Sequence, residues 1–213
     1  MRYKTFMKPL RHPLRHRWPG SAGFSLIELM VVLILMLILS SMMYGFASAR
    51  HQKTQKELCR DSLQKIYLAL QVYANDFNGA LPVNTNATTS EAVLDVLVPK
   101  YTVDTSIFIC PGGRDWSIPA GESFGKRKIS YAYYMGQRLI PPQDVLMSDR
   151  QVNIAPKNTN DLVFSETGHS PGNNHSKYGG NFLFGDGSVQ ASGPRLEFPL
   201  ATAPGVVLLN PKP

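Results

Sequence analysis

The chain has 213 residues, 43% of them hydrophobic, and a formal net charge of +7, enough for one modest domain plus an extra element. The charge is confined to one place: Arg2, Lys4, Lys8, Arg11, Arg15 and Arg17 lie within 1–22, a stretch without an acid, and residues 23–213 are nearly neutral. A basic folded surface of the kind that binds nucleic acid is therefore excluded, and no direct nucleic-acid binding is expected.

Behind the basic stretch, Phe24 to Met43 contains no Gly or Pro and a single charge, Glu28. Its length suits a membrane-spanning helix of about 20 residues, whereas a secretory core is about 7–15. The "ASA" that ends at Ala49 keeps a signal-peptidase cut after Ala49 as the competing reading. Basic residues on the amino side hold that side in the cytoplasm, so the bulk of the chain lies outside it. Cys59 and Cys110 both follow the apolar segment. Export allows one structural disulfide between them; otherwise they are two unpaired small hydrophobes.

"GFSLIELMVVLILMLI" resembles the signature of type IV pilins and type II secretion pseudopilins: a basic leader ending in Gly, then Phe, then Glu four residues later, then an apolar helix. The resemblance implies a leader of 1–23, cut between Gly23 and Phe24 by prepilin peptidase, with N-methylation of Phe24. It implies that Glu28 serves assembly by pairing with the amino terminus of a neighbouring subunit. It also implies partners: that peptidase, identical or related pilin subunits, an inner-membrane assembly platform and the lipid bilayer. The chain would sit in the inner membrane as a single-pass protein with its head in the periplasm or extracytoplasmic space, and would then enter a pilus or pseudopilus. The physical reasons agree. Glycine lies extended in a protease cleft without a side chain to clash, and an intramembrane carboxylate is costly unless it has a task. A plain single-pass anchor for a binding domain that does not polymerise is the alternative, and it leaves Glu28 unexplained.

Beyond the spanning segment (24–46), the helix continues through 47–79. Cys59, Leu63, Ile66, Leu70, Tyr73 and Phe77 recur at spacings of 4, 3, 4, 3 and 4, one face of a helix. Gly79 and Pro82 then stop it. "CRDSLQKIYLALQVYANDFNGALP" is similar to pilin-like proteins of the planctomycete and verrucomicrobium type, which combine such a segment with a later Cys-Pro and a late His…Asp-Gly element. Ser62 stands where that family often has Asn. This resemblance favours a Cys59–Cys110 bridge between helix and head.

The head, 80–191, offers five strand-like runs at 106–111, 129–134, 161–166, 181–184 and 188–190. Asp186-Gly187 between the last two is a hairpin turn signal. Segments 83–93 and 112–127 read as loops, and the Pro-rich tail 192–213 reads as poorly ordered or extended. The expected fold class is α+β: a long amino-terminal helix, half transmembrane and half amphipathic, packed on a small antiparallel sheet.

Two head motifs invite chemistry. "HSKYGGNFLFGDGS" (175–188) is similar to the family's His…Asp-Gly element, with ten residues between His175 and Asp186 where the family has nine. Asp186 and Gly187 read as turn residues; the sharper reading joins His175 and Asp186 in a metal or partner site, although two ligands are too few for a metal. "GHSPG" (168–172) matches a nucleophile elbow in letters only, since the loop-like residues after Ser170 do not supply the helix that the elbow needs. The chain is expected to be a non-enzyme without cofactor. Calcium, carried by some pseudopilins, has no evident ligand set.

Overall fold

A computed structural model describes residues 24–137 and 142–213. The chain divides into two units between Tyr44 and Gly45, and the helix α1 (Leu26–Asp76) contributes to both. In the first unit α1 opens with Leu29 N–H donating to the Ser25 carbonyl at 3.1 Å. Leu26–Met43 has a mean hydropathy of 2.6, and its apolar side chains are exposed all round. Among the described residues it is the one helix long and apolar enough to cross a membrane. A helix apolar on every side needs lipid or other helices around it.

In the second unit α1 is amphipathic. Cys59, Leu63, Ile66 and Leu70 are fully buried and Ala74 nearly so, while Glu57, Arg60, Asp61 and Lys65 face solvent. The helix stops in a left-handed cap: Asn78 has φ +52° and Gly79 φ +83°, and Gly79 N–H donates to the Ala74 carbonyl at 2.8 Å. That bond satisfies a carbonyl that the helix end would leave open. Phe77, the last residue of the predicted stripe, falls beyond the helix and is exposed.

Five strands form one antiparallel sheet in the order β4-β3-β2-β1-β5: β1 (Tyr131–Met135), β2 (Val145–Asp149), β3 (Gly180–Phe184), β4 (Val189–Ser192) and β5 (Val207–Leu209). The fold is thus α+β. The α1 stripe shares a core with Tyr131, Tyr133, Met147 and Leu183. The opposite face of the sheet carries Ala132, Tyr134, Phe182 and Phe184, covered by Val163, Phe164, Leu196 and Phe198. Burial on both faces explains why β1, β2 and β3 show no alternation with solvent-facing residues. A register shift between Val145 and Met147 lets Leu146 and Met147 both join the helix-side core.

Several local expectations are corrected. Residues 106–111 are not a strand: Thr105–Phe108 is a 3-10 turn, begun by the Asp104 carboxylate accepting from Ser106 N–H at 3.1 Å. Residues 161–166 contribute one bridge, Leu162 to Arg195. Val163 N–H and Phe164 N–H both donate to the Pro194 carbonyl, which takes this segment out of a regular ladder. Within 83–93, read as loop, a short helix α2 (Ser90–Leu94) begins. Its buried Glu91 accepts from Ile129 N–H and Lys212 N–H, both at 3.0 Å. The tail is extended but built in: β5 pairs with β1, and Leu208 and Leu209 are buried.

Candidate functional site

Two places carry the residues singled out by sequence. The first is the start of α1. Gly23, with the leader 1–23, lies outside the described residues. Phe24 is 78% exposed, and Glu28 stands exposed in the first turn of α1, the one acid on its apolar half. Acids near a helix amino end are favoured by the helix dipole, but among the described residues Glu28 has no salt-bridge partner.

The second place is a buried polar cluster between α1 and the sheet. Cys59 of α1 and Cys110, just after the 3-10 turn, form a disulfide with Cα atoms 5.4 Å apart. Against it lies His175, whose Nε2 is 3.5 Å from Cys110 Sγ and 3.2 Å from Asp149 Oδ2. Asp149 ends β2 and has no exposed surface. Its carboxylate accepts from Asn174 Nδ2 at 2.8 Å and from Asn181 N–H of β3 at 2.8 Å. Asn174 Nδ2 also donates to the Ser130 carbonyl at 2.7 Å, and Asn181 Nδ2 to the Lys56 carbonyl of α1 at 2.9 Å. Burial by itself opposes a charge on Asp149. The charge and hydrogen bond of His175, with the bonds from Asn174 and Asn181, outweigh it and hold the carboxyl below its ordinary value. His175 Nδ1 is buried without a partner among the described residues. The chain passes so close here that a Cβ on Gly112 would lie 2.6 Å from the Asn174 carbonyl and 2.8 Å from that Nδ1, so the position takes glycine.

His175 and Asp186 are therefore not a pair. His175 precedes β3 and is committed to Asp149; Asp186 follows β3, and its carboxylate accepts from Ser188 N–H at 2.7 Å. The Ser188 bonds hold the Asp186 carboxyl below its ordinary value. Gly187 has φ +81°, and a Cβ there would meet the Tyr67 ring at 2.5 Å. Tyr67 OH in turn donates to the Gly185 carbonyl at 2.9 Å. Asp186 and Gly187 thus act as turn residues that seat the β3–β4 hairpin on α1. Ser170 is exposed in loop, with no helix after it and no hydrogen bond among the described residues. Asp149, Asn174 and Asn181 were not singled out from sequence. The available signal was an acid closing the apolar run "VLMSD".

The disulfide joins residues 51 apart in sequence. Closing a loop of that size is worth about 2–4 kcal/mol. The Cys59→Ala, Cys110→Ala double variant is expected to lose that much, read as a lower urea midpoint by circular dichroism.

Residues 18–44 match the family model described as the prokaryotic N-terminal methylation motif. The match takes in Gly23, Phe24, Glu28 and the apolar half of α1, and it supports a pilin-like amino end that prepilin peptidase processes. No curated protein and no solved structure matches the chain.

Proposed function

We propose that the chain is a structural subunit, not an enzyme, of a type IV pilus or a type II secretion pseudopilus. Prepilin peptidase cuts between Gly23 and Phe24 and methylates the new amino terminus at Phe24. The apolar half of α1 first holds the subunit in the inner membrane, with residues 47–213 on the extracytoplasmic side. An assembly platform then moves it into a filament, where the same surface packs on its neighbours' helices. The observation that carries this reading is Glu28, an exposed carboxylate at the start of the otherwise apolar first half of α1. A buried opposite charge offsets part of its desolvation and fixes register. In a filament that charge is the amino terminus of the next subunit.

Two measurements test the proposal. Mass spectrometry of the mature chain should find N-methyl-Phe24 as first residue. A start at Met1 favours a plain anchor, and a start at Arg50 favours signal-peptidase release. The Glu28→Ala variant should insert in the membrane at the wild-type level and fail to enter filaments; normal incorporation would sink the assembly role of Glu28.

A further inference from the structure

Cys59, Cys110, Asp149 and His175 bring four donor atoms of three kinds to one buried point, all within 4.8 Å of one another. Two sulfurs, an imidazole nitrogen and a carboxylate oxygen are a donor set that zinc takes in tetrahedral sites. The spacing also fits. Bonds of about 2.0–2.1 Å to nitrogen, 2.0–2.2 Å to oxygen and 2.3 Å to sulfur put tetrahedral neighbours about 3.4 Å apart for N and O, and about 3.5 Å for N and S. His175 Nε2 lies 3.2 Å from Asp149 Oδ2 and 3.5 Å from Cys110 Sγ. Two edges of the tetrahedron are thus already in place, and the covalent bond between the sulfurs has to open before a metal can enter.

We infer that the reduced chain binds a zinc-class divalent cation through Cys59, Cys110, Asp149 and His175, so that metal and disulfide are alternative staples between α1 and the sheet. The chemistry balances. A dithiol reductant gives two electrons and two protons to the Cys59–Cys110 bond and becomes a disulfide itself. The cation then displaces both thiol protons and the proton on Nε2 of His175, binds that nitrogen with the ring proton on Nδ1, and takes one oxygen of Asp149. For Asp149, the supporting groups that fix a metal ligand's orientation are present as well. Asn174 Nδ2 and Asn181 N–H hold the Asp149 carboxylate. Two thiolates and a carboxylate around a dication leave one negative charge. The Lys56 ammonium, tied to the carbonyls of Tyr178 and Ser192, is a cation coupled to Asp149. The donors come from α1, the segment after the 3-10 turn, β2 and the loop before β3, so no spacing in the sequence announces the site.

The test uses the full chain in detergent, reduced without oxygen, freed of reductant and titrated with Co²⁺ alone. One equivalent should give the visible bands of four-coordinate cobalt with thiolate charge transfer in the near ultraviolet, and Zn²⁺ should abolish them. The oxidised chain should give neither. His175→Ala should lose the four-coordinate signature, and Asn174→Ala should keep it at an affinity weakened about 10–100-fold. A reduced wild type without thiolate–cobalt bands overturns the inference whether or not it is folded, because metal binding of this kind drives folding. An unchanged spectrum in His175→Ala overturns it equally.

Discussion

Asp149→Ala is expected to destabilise the second unit by about 2–6 kcal/mol, the cost of leaving two buried hydrogen-bond donors without their acceptor at about 1–3 kcal/mol each. The carboxylate has no exposed surface and accepts three hydrogen bonds, from His175, Asn174 and Asn181. Its loss leaves His175 Nε2 and the Asn181 N–H buried without an acceptor, and each orphaned group carries its own desolvation cost. Asn174 keeps the Ser130 carbonyl, so the damage centres on His175 and β3. Glu166 is the contrasting case. It pairs with Arg195 at 2.8 Å with both side chains well exposed, and Glu166→Ala should cost no more than about 1 kcal/mol. Urea unfolding followed by circular dichroism measures both. Similar midpoints for the two variants would show that the cluster is not a staple. The carboxyl of Asp149 lies below its ordinary value of 3.8, so its contribution is fully present above that value and is lost as pH falls through the lower native one. Acid unfolding of the wild type should therefore gain a component below about pH 4 that Asp149→Asn lacks.

Periodic and local features were legible. The stripe from Cys59 to Leu70 repeats often enough to mark a helix face, and Asp186-Gly187 is a turn because Gly187 accepts a left-handed φ. Non-local features were not. The run Ile107-Phe108-Ile109 has the composition of a strand, yet Asp104 caps it into a 3-10 turn. The strand β2 was missed because Met147, Ser148 and Asp149 dilute a strand pattern, and its evidence lies in pairing with β1 and β3. The cluster failed for the same reason. The contiguous His…Asp-Gly pattern points to Asp186 for His175, whereas Asp149 is gathered by sheet pairing and bonded by Asn174 and Asn181 from 25 and 32 residues away. Segment 192–213 reads as a tail because of its prolines, yet Val207–Leu209 finds the free edge of β1. The amino end was legible because its signature is contiguous and owes nothing to tertiary structure.

Gly179→Ala is expected to cost about 3–5 kcal/mol, against about 1 kcal/mol for Gly205→Ala, although the two backbones are nearly alike. Gly179 has φ +82° and Gly205 φ +84°, so a side chain at either position meets the same intrinsic strain. Space separates them. Nothing lies within 4 Å of a Cβ at Gly205, whereas one at Gly179 would sit 2.0 Å from the Ser192 carbonyl oxygen and 2.6 Å from the carbonyl carbon of Gly193. Those atoms are backbone and cannot rotate away, so β4 has to move. That movement breaks more than a contact: Ser192 pairs with Gly180 in the β3–β4 register, and its carbonyl accepts from Lys56 Nζ at 2.8 Å. Asn181, two residues on, supplies the N–H that holds Asp149. The strain should therefore reach the buried cluster, and Gly179→Ala combined with Asp149→Ala should cost less than the sum of the two. Gly205→Ala combined with Asp149→Ala should be additive, as expected for sites without shared partners. Equal costs for the two glycine variants, or additivity in both pairs, would mean that β4 yields freely and that the cluster does not depend on the register of β3.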